Sequence, residues 1–127
     1  MIKSISANTR KPDLTFYKSG RIDISASVSK ALALKKGDVI DIASDGIEYY
    51  LYVKYRAGSV IGRHYGHCFP SHPGKTQSNN MRAHSVALTD AILRIHHADV
   101  VSLPVGSPAD IPALGGVALP IIIRNRL

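Results

Sequence analysis

The chain has 127 residues and a mass of 13.7 kDa, enough for one domain or two very small ones. Its 45% hydrophobic and 20% charged residues supply the apolar surface that a disordered chain lacks, and no apolar run approaches the roughly 20 residues of a membrane span. Sixteen Lys+Arg against nine Asp+Glu leave a net charge of +7, which favours an anionic partner such as nucleic acid, although excess lysine also serves solubility.

The charge is unevenly placed: residues 1–36 hold eight cations and two carboxylates, or +6 of the +7. Cys68 is the single cysteine. One thiol excludes an internal disulfide framework and a multi-cysteine zinc finger, and it fits a reducing cytoplasm. Met1–Ser4 leads into no apolar stretch with a cleavage site, so no signal peptide and a cytoplasmic location are expected.

Arg10-Lys11-Pro12-Asp13 reads as a polar turn after a short lead-in strand. Leu14, Phe16, Ile22 and Ile24 alternate on one side, with Ser19-Gly20 between them, which predicts two strands joined by a tight glycine turn. Ser25-Ala26-Ser27 offers an N-cap to a short helix over Val28–Leu34, and Lys35-Lys36-Gly37-Asp38 is its expected stop. Val39–Ile42 and Glu48–Tyr55 read as strands around the Ser44-Asp45-Gly46 turn. A further short strand is expected at Ser59–His64, and a long loop from Gly66 to Asn80. Met81–Ser85 reads as a strand entering the helix Ser85–His96, where Val86, Leu88, Ala91, Ile92 and Ile95 recur at helical spacing. Val100–Val105 and Val117–Ile123 are expected strands, separated by a loop over Gly106–Gly116 and followed by the basic tail Arg124-Asn125-Arg126. The sum is a strand-dominated α+β fold. Residues 1–56 and 57–127 are expected as two parts packed together, the second a strand–helix–strand, C-terminal α/β extension.

Two stretches carry a family resemblance: Phe16-Tyr17-Lys18-Ser19-Gly20-Arg21-Ile22-Asp23-Ile24-Ser25, and Val28-Ser29-Lys30-Ala31-Leu32-Ala33-Leu34-Lys35-Lys36-Gly37-Asp38-Val39-Ile40-Asp41-Ile42. A Gly-Arg before alternating aliphatics, a short helix, a Lys-Gly-Asp turn and a strand of aliphatic and acidic residues make residues 14–53 resemble the AbrB/MazE/SpoVT family of swapped-hairpin DNA-binding domains. The resemblance implies an intertwined homodimer whose hairpins interleave into one small β-barrel. About 40 residues barely make a core alone, so dimerisation suits the segment. It also implies contacts to double-stranded DNA from Arg10, Lys11, Lys18, Arg21 and Lys30. The chain departs from the family at Ser29, where a basic pair is usual, and at Ser25, where proline is common.

Other residues have competing readings. Arg21 suits a phosphate or base edge, or else an ion pair with Asp23 or Asp41. Lys35 and Lys36 are read as complementing the helix end. His64, His67, Cys68 and His72 are metal-type residues at short spacing, but no second ligand pair accompanies them, so no metal and no cofactor are expected. No carboxylate lies between Glu48 and Asp90 to orient a Cys68–His nucleophile locally, and Gly74-Lys75-Thr76 lacks the first glycine of a phosphate loop, so no enzyme is expected. Tyr49, Tyr50, Tyr52 and Tyr55 are either base-stacking or half-buried sheet residues. The expected function is a small basic, dimeric DNA-binding protein, a transcriptional regulator or antitoxin-like. The alternative is a protein-interaction module that keeps the same core without binding DNA and takes a protein partner through residues 57–127.

Overall fold

The computed structural model describes residues 13–57, 67–70 and 80–123. The first hairpin pairs β1 (Leu14–Tyr17) with β2 (Arg21–Ile24), Phe16 opposite Ile22. Gly20 closes the turn at φ +101°, and a Cβ there would meet His84 Nε2 at 2.8 Å. Only glycine fits both demands. The alternation then buries Leu14, Phe16, Ile22 and Ile24 to 2% exposure or less, each worth about 1.5–3 kcal/mol of burial.

Ser25 Oγ accepts from the Val28 N–H and starts α1 (Ala26–Ala31). The helix is shorter than the pattern Val28–Leu34 predicts. Ala33 turns left-handed at φ +50°; its N–H donates to the Lys30 carbonyl, and the Leu34 N–H to that of Ser29. That pair of bonds is a Schellman stop, built here on alanine two residues after the helix. Gly37, at φ +94°, belongs to the next turn instead.

The second hairpin is β3 (Val39–Ser44) and β4 (Tyr49–Tyr55). Asp45 Oδ1 accepts from the N–H groups of Ile47 and Glu48 at 2.9 and 2.7 Å, which folds the tip. Next come β5 (Phe69–Pro70), β6 (Met81–His84) and α2 (Val86–His96), capped by Ser85 Oγ on the Leu88 N–H. The chain continues through β7 (Val100–Leu103), β8 (Ala109–Ile111), a 3-10 turn over Pro112–Leu114, and β9 (Gly116–Ile121). Strands β5 and β8 lie inside segments read as loops. Each is short and exists through its neighbour, β6 or β9. The expected strand Ser59–His64 and the basic tail lie outside the described residues.

The strands form two antiparallel sheets, in the orders β5-β6-β2-β1-β7 and β3-β4-β9-β8. The strand-dominated α+β expectation is met, but the sheets are not one closed barrel, which corrects the barrel expected for residues 14–53. The physical reason is the pairing: β6 and β7 take the outer sides of β2 and β1, and β9 takes that of β4. Each sheet thus draws strands from both sides of residue 56. Both helices and the inner face of each sheet share one core, with Ile92 and Leu93 of α2 against Phe16 and Leu14, and Leu51 and Leu119 from the second sheet. Among the described residues no helix is long and apolar enough to cross a membrane.

Candidate nucleic-acid interface

The carboxyl end of α1 is closed by Arg56, not by lysine. Its Nη2 donates to the Leu32 carbonyl and its Nη1 to that of Ala33, each at 3.0 Å. Nη1 also bonds Asp38 Oδ2 at 3.0 Å. The buried Asp38 carboxylate further accepts from the N–H groups of Lys35 and Ala57, at 2.9 and 2.8 Å. The Gly37 N–H donates to the Cys68 carbonyl and the Cys68 N–H to that of Asp38. The backbone of the Lys35–Asp38 turn is therefore pinned from three sides. Helix α1 ends at Ala31 with Lys30 as the basic residue of its last turn, so Lys35 and Lys36 lie beyond the last turn that the sequence pattern assigns them to, and their side chains are exposed.

Lys35 and Lys36 instead meet Lys30 around a groove of about 460 Å³, floored by Ala33, Leu34, Pro70 and Met81 with Ser29 at its side. Every Asp and Glu of the chain lies in the described residues, and none of them pairs with these three lysines. The carboxylates in the described ion pairs hold other cations: Asp99 holds Lys18, Asp23 holds Arg21 and Arg82, Asp41 holds Lys54, and Asp38 holds Arg56. By contrast, the nine described cations are matched by nine carboxylates overall, and Lys3, Arg10, Lys11, Arg63, Lys75, Arg124 and Arg126, which make up the +7, lie outside the described residues.

Arg21 stands apart from this groove, on the outer face of the five-stranded sheet. Its Nε and Nη2 grip Asp23 Oδ1 and Oδ2 at 3.1 and 2.8 Å, and its guanidinium stacks on Tyr17, 4.3 Å from the ring centre. Arg82 Nε reaches the same Asp23 Oδ1 at 2.9 Å. Burial pushes the Asp23 carboxyl up, but the two guanidinium hydrogen bonds outweigh it and hold the group below the usual carboxylate range. The Arg21 guanidinium is raised in turn, first by its hydrogen bond to Asp23. Sequence reasoning missed Arg82. The alternation Met81, Arg82, Ala83, His84 puts it on the outer face, but only the β2–β6 register brings it to Asp23.

Of the other expected DNA contacts, Arg10 and Lys11 lie outside the described residues. Lys18, in the β1–β2 turn, sits 4.0 Å from Asp99 and is exposed. Two tyrosines of β4 face carboxylates, Tyr50 donating to Glu48 at 2.6 Å and Tyr52 to Asp41 at 3.3 Å, while Tyr49 packs against the core and Tyr55 lies under Lys54. The Tyr50 hydroxyl is pushed up to about 12 by that bond. This acidic surface does not suit a phosphate chain. Among the metal-type residues, His64 and His72 lie outside the described residues. His67 Nδ1 donates to the Gly37 carbonyl at 3.3 Å, and Cys68 is buried. Among the described residues no three His, Cys, Asp or Glu gather as metal ligands would.

Comparison with protein-family models, curated proteins and solved structures finds no match for this chain.

Proposed function

We propose that the protein is a small cytoplasmic DNA-binding protein, a homodimeric transcriptional regulator or antitoxin-like factor with an AbrB-like segment over residues 14–53. The observation that carries this reading is the set of Lys30, Lys35 and Lys36 around one groove, with no carboxylate of the chain paired to any of them. Exposed cations grouped without carboxylates between them make a positive patch, and a phosphate backbone supplies a row of charges that complements it. The Gly20 turn and the Lys36-Gly37-Asp38 turn, both with left-handed glycines, support the resemblance locally. Lys30 belongs to the DNA contacts, joined by Arg10 and Lys11 from the segment before β1. Lys18 and Arg21 contribute less, since Asp99 and Asp23 already engage them. No catalytic step or cofactor is assigned.

The test is fluorescence anisotropy with a labelled duplex across a salt series, for the wild type and for Lys30→Ala with Lys35→Ala and Lys36→Ala. Wild-type affinity falls log-linearly with salt, and the slope drops by roughly 0.9 for each phosphate contact the triple variant loses. Sedimentation at micromolar concentration gives a dimer. Absence of salt-sensitive binding at low salt overturns the DNA reading. A protein-interaction module then replaces it, a second reading favoured by the charge balance of the described residues, nine cations against nine carboxylates.

A further inference from the structure

The outer face of the five-stranded sheet carries a continuous row across all its strands: Phe69, Arg82, Asp23, Thr15 and Ser102, each directly opposite the next. One turn of the pleat away run His84, Arg21, Tyr17 and Val100. Phe69 is 40% exposed at one edge, and Tyr17 carries the Arg21 guanidinium on its ring toward the other. Both helices and the second sheet pack on the opposite, inner face.

We infer that this face binds single-stranded nucleic acid, with Phe69 as a base-stacking platform and Arg82 as its phosphate contact, while Arg21, held by Asp23 and Tyr17, fixes Asp23 in place beside it. Three observations support it. Asp23 holds both arginines by their Nε atoms, so the guanidiniums stand side by side with little freedom to lose on binding. Arg82 uses only Nε in this contact, which leaves both its Nη groups without a hydrogen bond among the described residues, and a guanidinium has the donors for phosphate oxygens. Two cations on one carboxylate leave one positive charge in the cluster, and an exposed aromatic ring lies next in the row. A positive sheet surface with an aromatic platform is a sequence-tolerant arrangement for unstacked bases, whereas a duplex hides its bases from such a ring. Thr15 and Ser102, hydrogen-bonded to each other at 3.0 Å, extend the row with polar groups for base edges or the sugar. This surface is distinct from the lysine groove, and the inference stands whether or not the groove binds duplex DNA.

The experiment uses the full chain and a labelled oligo-dT of about 12 nucleotides, within the span a single-strand-binding fold covers. Wild type binds it at low salt. Phe69→Ala weakens binding by about 5- to 100-fold, the effect of removing one stacking platform, and Arg82→Gln weakens it and lowers the salt slope. Phe69 is an exposed edge residue, so its variant keeps the fold, checked by thermal melting, even if Arg82→Gln does not. The triple lysine variant retains oligo-dT binding while it loses the duplex. No oligo-dT binding by wild type, or wild-type affinity in a folded Phe69→Ala, overturns the inference. So does equal binding of a poly-glutamate chain, which marks a face for acidic peptides.

Discussion

Arg56 Nη1 lies 3.0 Å from Asp38 Oδ2, and the same guanidinium spans the carbonyls of Leu32 and Ala33. One exposed cation from the end of β4 thus closes the helix and neutralises a buried carboxylate at once. Truncating either partner has unequal consequences. Arg56→Ala removes charge-assisted bonds and leaves the buried Asp38 carboxylate without its cation, but the Lys35 and Ala57 N–H groups still hold it, and the variant is expected to destabilise by about 2 kcal/mol. Asp38→Ala also strands the N–H groups of Lys35 and Ala57 and is expected to cost about 3 kcal/mol or more. Urea unfolding of both variants checks the order; equal losses contradict it.

Ala33 pays the usual L-residue penalty at its left-handed position, about 1–2 kcal/mol. Glycine removes that penalty but adds about 0.4–1 kcal/mol of unfolded-chain freedom. Ala33→Gly is therefore expected to stabilise the protein by roughly 0.5–1 kcal/mol, seen as a higher denaturation midpoint at unchanged slope.

Asp23 makes stability depend on acid. Its carboxyl is held below the usual range in the fold, so the stabilisation is complete above the ordinary carboxylate pKa of about 3.9 and is lost as pH falls below it. At neutral pH, Asp23→Asn is expected to cost about 1 kcal/mol, as for a partly exposed ion pair. Unfolding curves taken stepwise from neutral to acid show the gap between wild type and variant narrowing below about pH 4. A gap that persists in acid contradicts the assignment.

Cys68 is expected to be inert in the folded protein. Burial, helped by the Asp38 charge, pushes its thiol up to about 12. A thiol reagent at mildly alkaline pH labels it only as fast as the chain unfolds, and at once in denaturant. The sign on stability is the reverse of that for Asp23: the unfolded thiol ionises first, so stability falls as pH rises above about 9. Prompt stoichiometric labelling of folded protein would show that the thiol is reachable.

The local devices were written in the sequence. The alternation of Leu14 and Phe16 with Ile22 and Ile24 marks the inward face of β1 and β2, because side chains in a strand repeat every second residue. Ser25 and Ser85 start their helices because a hydroxyl just before a helical run satisfies an otherwise orphaned N–H. Gly20 and Gly37 take the left-handed conformations that their turns suggest. Only the tertiary structure decided the rest. Strands β5 and β8 are too short to carry any periodicity and exist through hydrogen bonds to β6 and β9. Residue 23 and residue 82 are 59 positions apart, and no local pattern states that one carboxylate holds two arginines. The lysines of the groove are the sharpest case. Composition shows that they are basic, but their availability depends on where nine carboxylates and Arg56 end up, which is a matter of register and long-range packing, not of neighbouring residues.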